Sequence, residues 1–217
     1  MLIHMNYDRL NDWLGRQAFF DLAMVVQFSR EARHNVRVQL HRWVKQGKLL
    51  SLRRGFYAWP NRRQPPFLNP AELANALHRP SYLSGLWALS YYGLIPEKTT
   101  VFTSVTTRAP CRFENAVGLF EYRHVKAEAF FGYSTLDMAD AKVLVARPEK
   151  ALLDFWHLSE GAWSEDRMTE MRFQNVESVR ERRLEQFARR FHSPRLLEAV
   201  RMWKKVAEDE REGTVIL

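Results

Sequence analysis

Cysteine is almost absent from this chain, since Cys111 is the one cysteine among 217 residues. A single thiol excludes an internal disulfide and any zinc site built from several cysteines. This scarcity is typical of a reducing compartment, where disulfides are rare. Arg112 follows Cys111, and a neighbouring cation favours the thiolate form, but we expect a structural cysteine here rather than a nucleophile.

Long uncharged apolar runs are absent as well. No stretch approaches the roughly 20 apolar residues that a membrane-spanning helix needs. The first ten residues, MLIHMNYDRL, lack the basic segment and apolar run of a secretory signal. Apolar residues make up 46% of the chain, which is enough for a packed core. We therefore expect a cytoplasmic protein of one large or two small domains, without a membrane partner.

Familiar catalytic motifs are missing too. The seven histidines include no pair with zinc-protease spacing, and neither a GxxxxGK[ST] loop nor a GxSxG elbow occurs. Asp137, Asp140, Glu149 and Lys150 loosely bracket a predicted strand, as in metal-dependent nucleases. However, adjacent residues point to opposite faces of a strand, and Pro148 begins a helix at this point. We expect no enzyme, no catalytic residue, no metal and no cofactor.

Positive charge, by contrast, is concentrated at the amino terminus. The formal net charge is +8. Residues 1–64 contain 12 Lys or Arg and 4 Asp or Glu, whereas residues 65–217 contain 21 of each class. This distribution is typical of a nucleic-acid-binding module joined to a neutral domain. Pro65 and Pro66 stiffen the connection, and we place the domain boundary between residues 64 and 65.

Residues 20–59 have the pattern of a winged helix-turn-helix. A short apolar helix (FDLAMVVQF) precedes a longer basic helix, which Ser29 is expected to cap and Gly47 to end. The segment LLSLRRGFYAW then predicts a two-stranded ribbon turned at Gly55. An earlier helix over Tyr7–Leu14 supports this domain.

The basic helix separates into two faces at steps of three or four residues. One face is apolar and comprises Ala32, Val36, Leu40, Trp43 and Val44. The other is basic and comprises Arg30, Arg33, His34, Arg37 and His41. Such a face matches a helix laid in the major groove of double-stranded DNA. A solvated charged face is the alternative, but such faces usually mix both signs, and Glu31 is the only acidic residue here.

Arg53 and Arg54 precede Gly55 at the predicted tip of the ribbon. A basic wing tip contacts phosphate or enters the minor groove, so we assign both arginines to the DNA-binding surface. The alternative is a hairpin that merely closes the small domain.

Residues 65–217 predict an α+β domain in which helices flank and follow a small sheet. Strands are expected over residues 99–107, 119–125, 129–133 and 143–146. Helices are expected after the caps Asn69 and Ser84, from Pro148 onward, and over residues 163–171, 176–191 and 194–209. Four basic residues border the predicted sheet, namely Arg108, Arg112, Arg123 and Lys126. They form either a second basic surface for nucleic acid or a solvated sheet face.

Several segments, in this order, resemble the AbiEi-type antitoxins, which are also described as transcriptional regulators of viral defence systems. LHRWVKQGKLLSLRRGFYAW matches the basic helix and ribbon, and PSYLSGLWALSYYGLIPE opens the second domain. TVFTSVTTR and FEYRHV match the sheet, and ARPEKALLDF follows its last strand. The resemblance covers roughly residues 15 to 160.

The resemblance implies a type IV toxin–antitoxin system that acts by abortive infection in phage defence. The winged helix domain would repress the operon's own promoter, and the carboxy-terminal domain would counter a nucleotidyltransferase-like toxin without a stable complex. The expected partners are therefore operator DNA and, functionally, such a toxin. The alternatives are a stand-alone winged-helix repressor and a nucleic-acid-processing enzyme. The oligomeric state is not predicted.

Overall fold

The computed structural model describes residues 5–60 and 67–215. The chain divides into two compact units, one of Met1–Leu73 with Phe113–Gly118 and the other of Ala74–Arg112 with Leu119–Leu217. The predicted boundary between residues 64 and 65 lies outside the described residues. Helices and two sheets alternate irregularly along the chain, which confirms the predicted α+β class.

The first unit begins with three helices and a small sheet. Its elements are α1 (Tyr7–Leu14), β1 (Phe19–Asp21), α2 (Leu22–Ser29), α3 (Arg33–Lys45), β2 (Leu50–Arg53) and β3 (Phe56–Ala58). β3 lies in the middle of the sheet and pairs antiparallel with both β1 and β2. β1 was not predicted, because its three residues merge with the apolar run of α2. Asp21 ends β1 and caps α2, where its Oδ1 accepts a bond from Met24 N at 2.9 Å.

One apolar cluster joins the three helices to this sheet. α3 contributes Val36, Leu40 and Trp43, which are buried as predicted. They belong to the same cluster as Leu10, Leu14, Phe20, Val25, Tyr57 and Trp59. Ala32, which was assigned to this apolar face, is exposed and precedes the helix.

The prediction that Ser29 caps the basic helix is wrong. Ser29 is the last residue of α2, and α3 has Ala32 at its N-cap without a side-chain hydrogen bond. Ser29 Oγ instead accepts a bond from Glu31 N at 3.3 Å. Arg30 ends α2 in the left-handed conformation, with φ of 54°. Residues 30–32 therefore form the turn between α2 and α3. The helical spacing of the sequence alone did not distinguish this turn from the start of α3.

The remaining elements follow residue 67. They are α4 (Pro70–Leu77), β4 (Ser81–Leu83), α5 (Gly85–Tyr91), β5 (Val101–Thr106), β6 (Cys111–Asn115), β7 (Gly118–His124), β8 (Tyr133–Met138), β9 (Ala141–Ala146), α6 (Pro148–Leu158), α7 (Glu165–Glu170), α8 (Glu181–Arg190) and α9 (Pro194–Val215). Single 3-10 turns occur at Ala127–Ala129 and Val176–Ser178. Within the described ranges, no helix combines the length and the apolar character needed to cross a membrane.

The six-stranded sheet has the order β6-β7-β5-β4-β9-β8. Antiparallel pairs join β4 to β5 and β8 to β9, whereas β4 with β9 and β5 with β7 are parallel. β5, β7 and β9 were predicted. β4 was missed because its three buried residues, SYL, show no alternation of apolar and polar side chains.

The strand predicted over residues 129–133 is wrong. A 3-10 turn ends at Ala129, and β8 begins only at Tyr133. The aromatic residues between them serve the core, since the ring of Phe131 packs 5.2 Å from Phe187 and 5.7 Å from Phe191. Gly132 then turns the chain with φ of 76°.

The carboxy-terminal helices also differ from the prediction at their ends. α7 begins at Glu165 after Ser164, whose hydroxyl caps it by accepting from Arg167 N at 3.3 Å. The helix predicted over residues 176–191 is interrupted between the 3-10 turn and α8. α9 continues to Val215, past its predicted end near Asp209.

The two predicted caps of the second domain had different outcomes. Asn69 caps α4 as expected, because its Oδ1 accepts from Ala71 N at 2.9 Å. Ser84 does not cap α5, since its hydroxyl donates to Asp154 Oδ2 at 2.7 Å. Thr103 of β5 supplies the missing acceptor to Trp87 N at 3.2 Å, a long-range contact that local sequence does not reveal.

A buried ion pair ties α6 to β4. Lys150 and Asp154 are fully buried and bonded to each other. Tyr82 OH donates to Asp154 Oδ2 at 3.0 Å and accepts from Lys150 Nζ at 2.9 Å. Burial raises the pKa of Tyr82 well above its usual value, and the adjacent Asp154 carboxylate raises it further. Desolvation lowers the pKa of Lys150, although Asp154 partly opposes this effect.

We expect Asp154→Ala to lower the free energy of unfolding by about 3–5 kcal/mol, because it leaves a buried ammonium group without its partner. Urea denaturation followed by tryptophan fluorescence measures the change. Asp137→Ala is the matched control, since Asp137 pairs with Lys142 at 2.8 Å on the surface, where both side chains are 76% exposed. Similar losses in the two variants would contradict a structural role for the buried pair.

Candidate nucleic-acid interface

A groove of about 960 Å³ opens on the surface of the first unit. One wall is α3, and the other is formed by β2, β3 and the turn between them. The residues that line the groove are Leu22, Arg33, His34, Arg37, Val38, His41, Arg42, Val44, Lys45, Ser51, Arg54, Gly55 and Tyr57.

The lining is strongly basic. Five of its side chains are Arg or Lys and two are His, and none of the described lining residues is Asp or Glu. Within residues 5–60 and 67–215, none of the five Arg and Lys side chains forms an ion pair with a carboxylate. Glu31 does not line the groove, and its Oε1 accepts a bond from Met5 N at 2.6 Å. The groove is therefore suited to a ligand that carries several negative charges.

The end of α3 is fixed by a left-handed residue, as predicted. Gly47 has φ of 69°. Its N–H donates to Val44 O at 3.0 Å, and Lys48 N donates to Trp43 O at 2.9 Å. This pair of bonds is the Schellman motif, which satisfies the last carbonyl groups of a helix and redirects the chain. The turn leads from α3 directly into β2, so it sets the spacing between the two walls.

The second wall is held by the start of α2. Leu22 N donates to Gly55 O at 2.9 Å, and Gly55 adopts φ of 80° in the turn before β3. Tyr57 faces Phe20 across the β1–β3 pair and is largely buried. Burial raises the pKa of Tyr57, while the positive charge of Arg37 lowers it in part. Tyr57 thus lies close enough to Arg37, on the opposite wall, to interact with it electrostatically.

The groove brings together most of the residues that the sequence assigned to DNA binding. Arg33, His34, Arg37 and His41 line it from α3, and Arg54 lines it from the opposite wall. The prediction that Arg30 belongs to the basic face of this helix is wrong, because Arg30 ends α2.

Arg53 ends β2 beside the turn but does not line the groove. Its guanidinium group lies 4.2 Å from the ring centroid of Phe56 and 5.8 Å from that of Phe113. Its Nη1 donates to Arg54 O at 3.3 Å. The planar guanidinium group stacks readily on aromatic faces, and Phe113 comes from a distant part of the chain that the sequence pattern did not connect with this hairpin.

Val38, Arg42, Lys45 and Ser51 are among the lining residues that the sequence pattern did not single out. Lys45 lies four residues after His41, so the same helical spacing indicates it. Arg42 also lies on α3, but the residues three and four positions before it are Gln39 and Val38, so a stripe of basic residues traced in such steps does not reach it. Ser51 carries no charge, and only the folded hairpin places it in the groove.

The arginines of the second predicted basic surface have separate partners within the protein. Arg108 Nη1 donates to Arg79 O at 3.2 Å, and Arg123 Nη2 donates to Leu158 O at 3.2 Å. Arg112 Nη1 lies 3.8 Å from a carboxylate oxygen of Glu121. Lys126, which is exposed, precedes the 3-10 turn at Ala127–Ala129. These contacts orient the three arginine side chains individually, whereas the groove gathers its basic residues around one concavity.

The residues considered for nuclease chemistry are separated by burial. Asp137 pairs with Lys142 on an exposed hairpin, and Asp140 lies in its turn. Glu149 and Lys150 are fully buried in α6. In the part of the chain that the structure describes, no cluster of three or more His, Cys, Asp or Glu side chains is arranged to hold a metal ion.

Comparison with known proteins does not assign the chain to a family. No family model matches the sequence, and no curated protein is significantly similar to it. The candidate site therefore rests on the geometry and charge described above.

We expect Gly47→Ala to lower the free energy of unfolding by about 1–2 kcal/mol, because a side chain is unfavourable in the left-handed conformation. An added Cβ meets nothing within 4 Å, so backbone strain is the only cost. Gly47→Asn is the matched control and should lose less, because asparagine tolerates this conformation. Thermal unfolding of both variants tests this, and equal losses would place the cost elsewhere.

Proposed function

We propose that the first unit is a winged helix-turn-helix that binds double-stranded DNA. In this assignment α2 and α3 form the helix-turn-helix, α3 is the recognition helix, and the β2–β3 hairpin is the wing. The observation that carries the proposal is the groove between α3 and the hairpin. Seven basic side chains and no acidic ones are among its described lining residues. Nucleic-acid-binding proteins neutralise phosphates with such surfaces.

A duplex fits this groove better than a single strand does. Proteins that bind single strands stack the bases on exposed aromatic rings. The aromatic residue in the described lining is Tyr57, which is only 7% exposed. The other wall is a helix of 13 residues with a basic exposed side, and the major groove of B-DNA is wide enough to admit such a helix.

We further propose that the protein is an autoregulatory antitoxin of an abortive-infection system. This part of the proposal rests on the sequence resemblance alone. In it the first unit represses the operon's promoter, and the second unit counters a nucleotidyltransferase-like toxin. A stand-alone repressor is the alternative within the same binding class. A nucleic-acid-processing enzyme is disfavoured by the burial of Glu149 and Lys150, which removes them from any substrate.

The groove predicts how DNA binding responds to salt. Arg42→Ala and Lys45→Ala should each weaken binding to all duplexes and reduce the slope of log K against log salt by about one unit, provided that each side chain holds one phosphate. Fluorescence anisotropy of a labelled duplex over a range of salt concentrations measures both effects. Arg16→Ala is the matched control, since Arg16 is exposed in the same unit but does not line the groove. A full slope in both groove variants would place the phosphate contacts elsewhere.

The antitoxin role predicts that a mutation in the full-length protein can abolish repression of the promoter without abolishing rescue of growth from the toxin. A variant carrying both Arg42→Ala and Lys45→Ala should fail to repress a reporter fused to the upstream promoter. It should still rescue growth when the adjacent gene is expressed from an unrelated promoter. If expression of the adjacent gene does not impair growth, the stand-alone repressor becomes the better assignment. If the variant loses rescue as well while remaining folded, the antitoxin activity is not separate from the groove.

A further inference from the structure

Val38 lies on the outward side of α3, opposite its buried residues. Successive residues of an α-helix are rotated by about 100°. Val38 is therefore about 140–160° from the buried residues Val36, Leu40 and Trp43. By the same count, Arg33 lies only about 20–80° from them and belongs to the flank of the helix. Val38, rather than the arginine, points away from the core.

Three basic residues share this outward ridge with Val38. His34 precedes it by four residues, and His41 and Lys45 follow it by three and seven, which are the spacings of neighbours along one helix face. All four residues line the groove. Arg37 and Arg42 line the groove from either side of the ridge. A helix that enters a major groove places the outermost ridge of its amino-terminal half, here His34 and Val38, nearest the base edges. Its flanks and its carboxy-terminal end, where Lys45 lies, are nearest the phosphates.

Packing within the protein does not explain why an apolar side chain occupies position 38. The groove-lining part of α3 contains two apolar residues, Val38 and Val44. Val44 is partly buried against the core cluster of the first unit, whereas Val38 is not among the described residues that pack there. Val38 therefore presents a half-exposed isopropyl group in the middle of a basic ridge.

An isopropyl group has no hydrogen-bond donor for a phosphate or a base edge. Its favourable contact in a major groove is the C5-methyl group of thymine, which apolar side chains recognise. Valine also has one strongly preferred rotamer in a helix, so its two methyl groups are held in place before binding. We propose that Val38 is a specificity-determining residue that recognises the C5-methyl group of a thymine. This inference rests on the proposed binding of double-stranded DNA.

The test uses duplexes that the wild-type, full-length protein enriches from a library of random sequence. Each thymine of an enriched duplex is replaced in turn by deoxyuridine, which lacks only the methyl group. We expect one such replacement to weaken wild-type binding about fourfold, which corresponds to the transfer of one methyl-sized group from water. Fluorescence anisotropy under fixed salt conditions measures the ratio.

Val38→Ala should bind the thymine duplex and this deoxyuridine duplex with equal affinity, so that the two changes are coupled in a double-mutant cycle. Alanine favours the helix more than valine does, so α3 is expected to form in the variant. Gln39→Ala is the matched control on the same helix, since Gln39 does not line the groove. It should retain the fourfold preference for thymine.

The outcomes separate this inference from the proposed function. If the wild-type protein binds an enriched duplex but no deoxyuridine replacement weakens it, Val38 recognises no thymine, although DNA binding stands. If Val38→Ala keeps the full preference for thymine, another residue recognises the methyl group and the inference is overturned. If the wild-type protein enriches no duplex at all, the proposed function fails and this inference fails with it.

Discussion

The burial of one side of α3 is the constraint on which the candidate site depends. Val36, Leu40 and Trp43 are inserted into the apolar cluster of the first unit, and burying each such side chain contributes about 1.5–3 kcal/mol. Rotation of the helix about its axis would expose these residues and bury the charges on the opposite side. The groove therefore has its basic lining because the apolar side of the same helix has no alternative orientation.

The charge of the groove follows from this arrangement and has its own cost. Five Arg or Lys side chains face one concavity without carboxylates in the described lining, so they repel one another when the groove is empty. Solvent and salt reduce this repulsion, and a polyanion would remove it. Residues 65–217 contain equal numbers of acidic and basic residues, so long-range attraction for a polyanion originates in the first 64 residues.

The second unit uses its charged residues differently. Lys150, Asp154, Tyr82 and Ser84 form a buried network. Its hydrogen bonds lie within α6 or connect α6 with Tyr82 of β4 and with Ser84, the residue that follows β4. Glu149 is also buried and accepts a bond from Arg180 N at 2.9 Å. Glu149 and Lys150, two of the residues that suggested catalysis along the sequence, are thus engaged in holding the second unit together.

Local sequence patterns were sufficient to predict many features of this protein. The α+β class, the bounds of α1, the left-handed turn at Gly47 and the burial of Val36, Leu40 and Trp43 all followed from spacing and turn chemistry. These features depend on neighbours within one or two helical turns. The basic groove residues on α3 followed for the same reason, because helical periodicity places them opposite the apolar face.

Other features depend on residues that are distant along the chain, and only the tertiary structure decided them. Thr103 replaces Ser84 as the cap of α5, and the ring of Phe113 lies 5.8 Å from the guanidinium group of Arg53. The short strands β1 and β4 exist because neighbouring strands pair with them, not because three residues prefer an extended conformation. The groove that gathers Val38 and its basic neighbours likewise requires both walls, and the sequence of α3 contains only one of them.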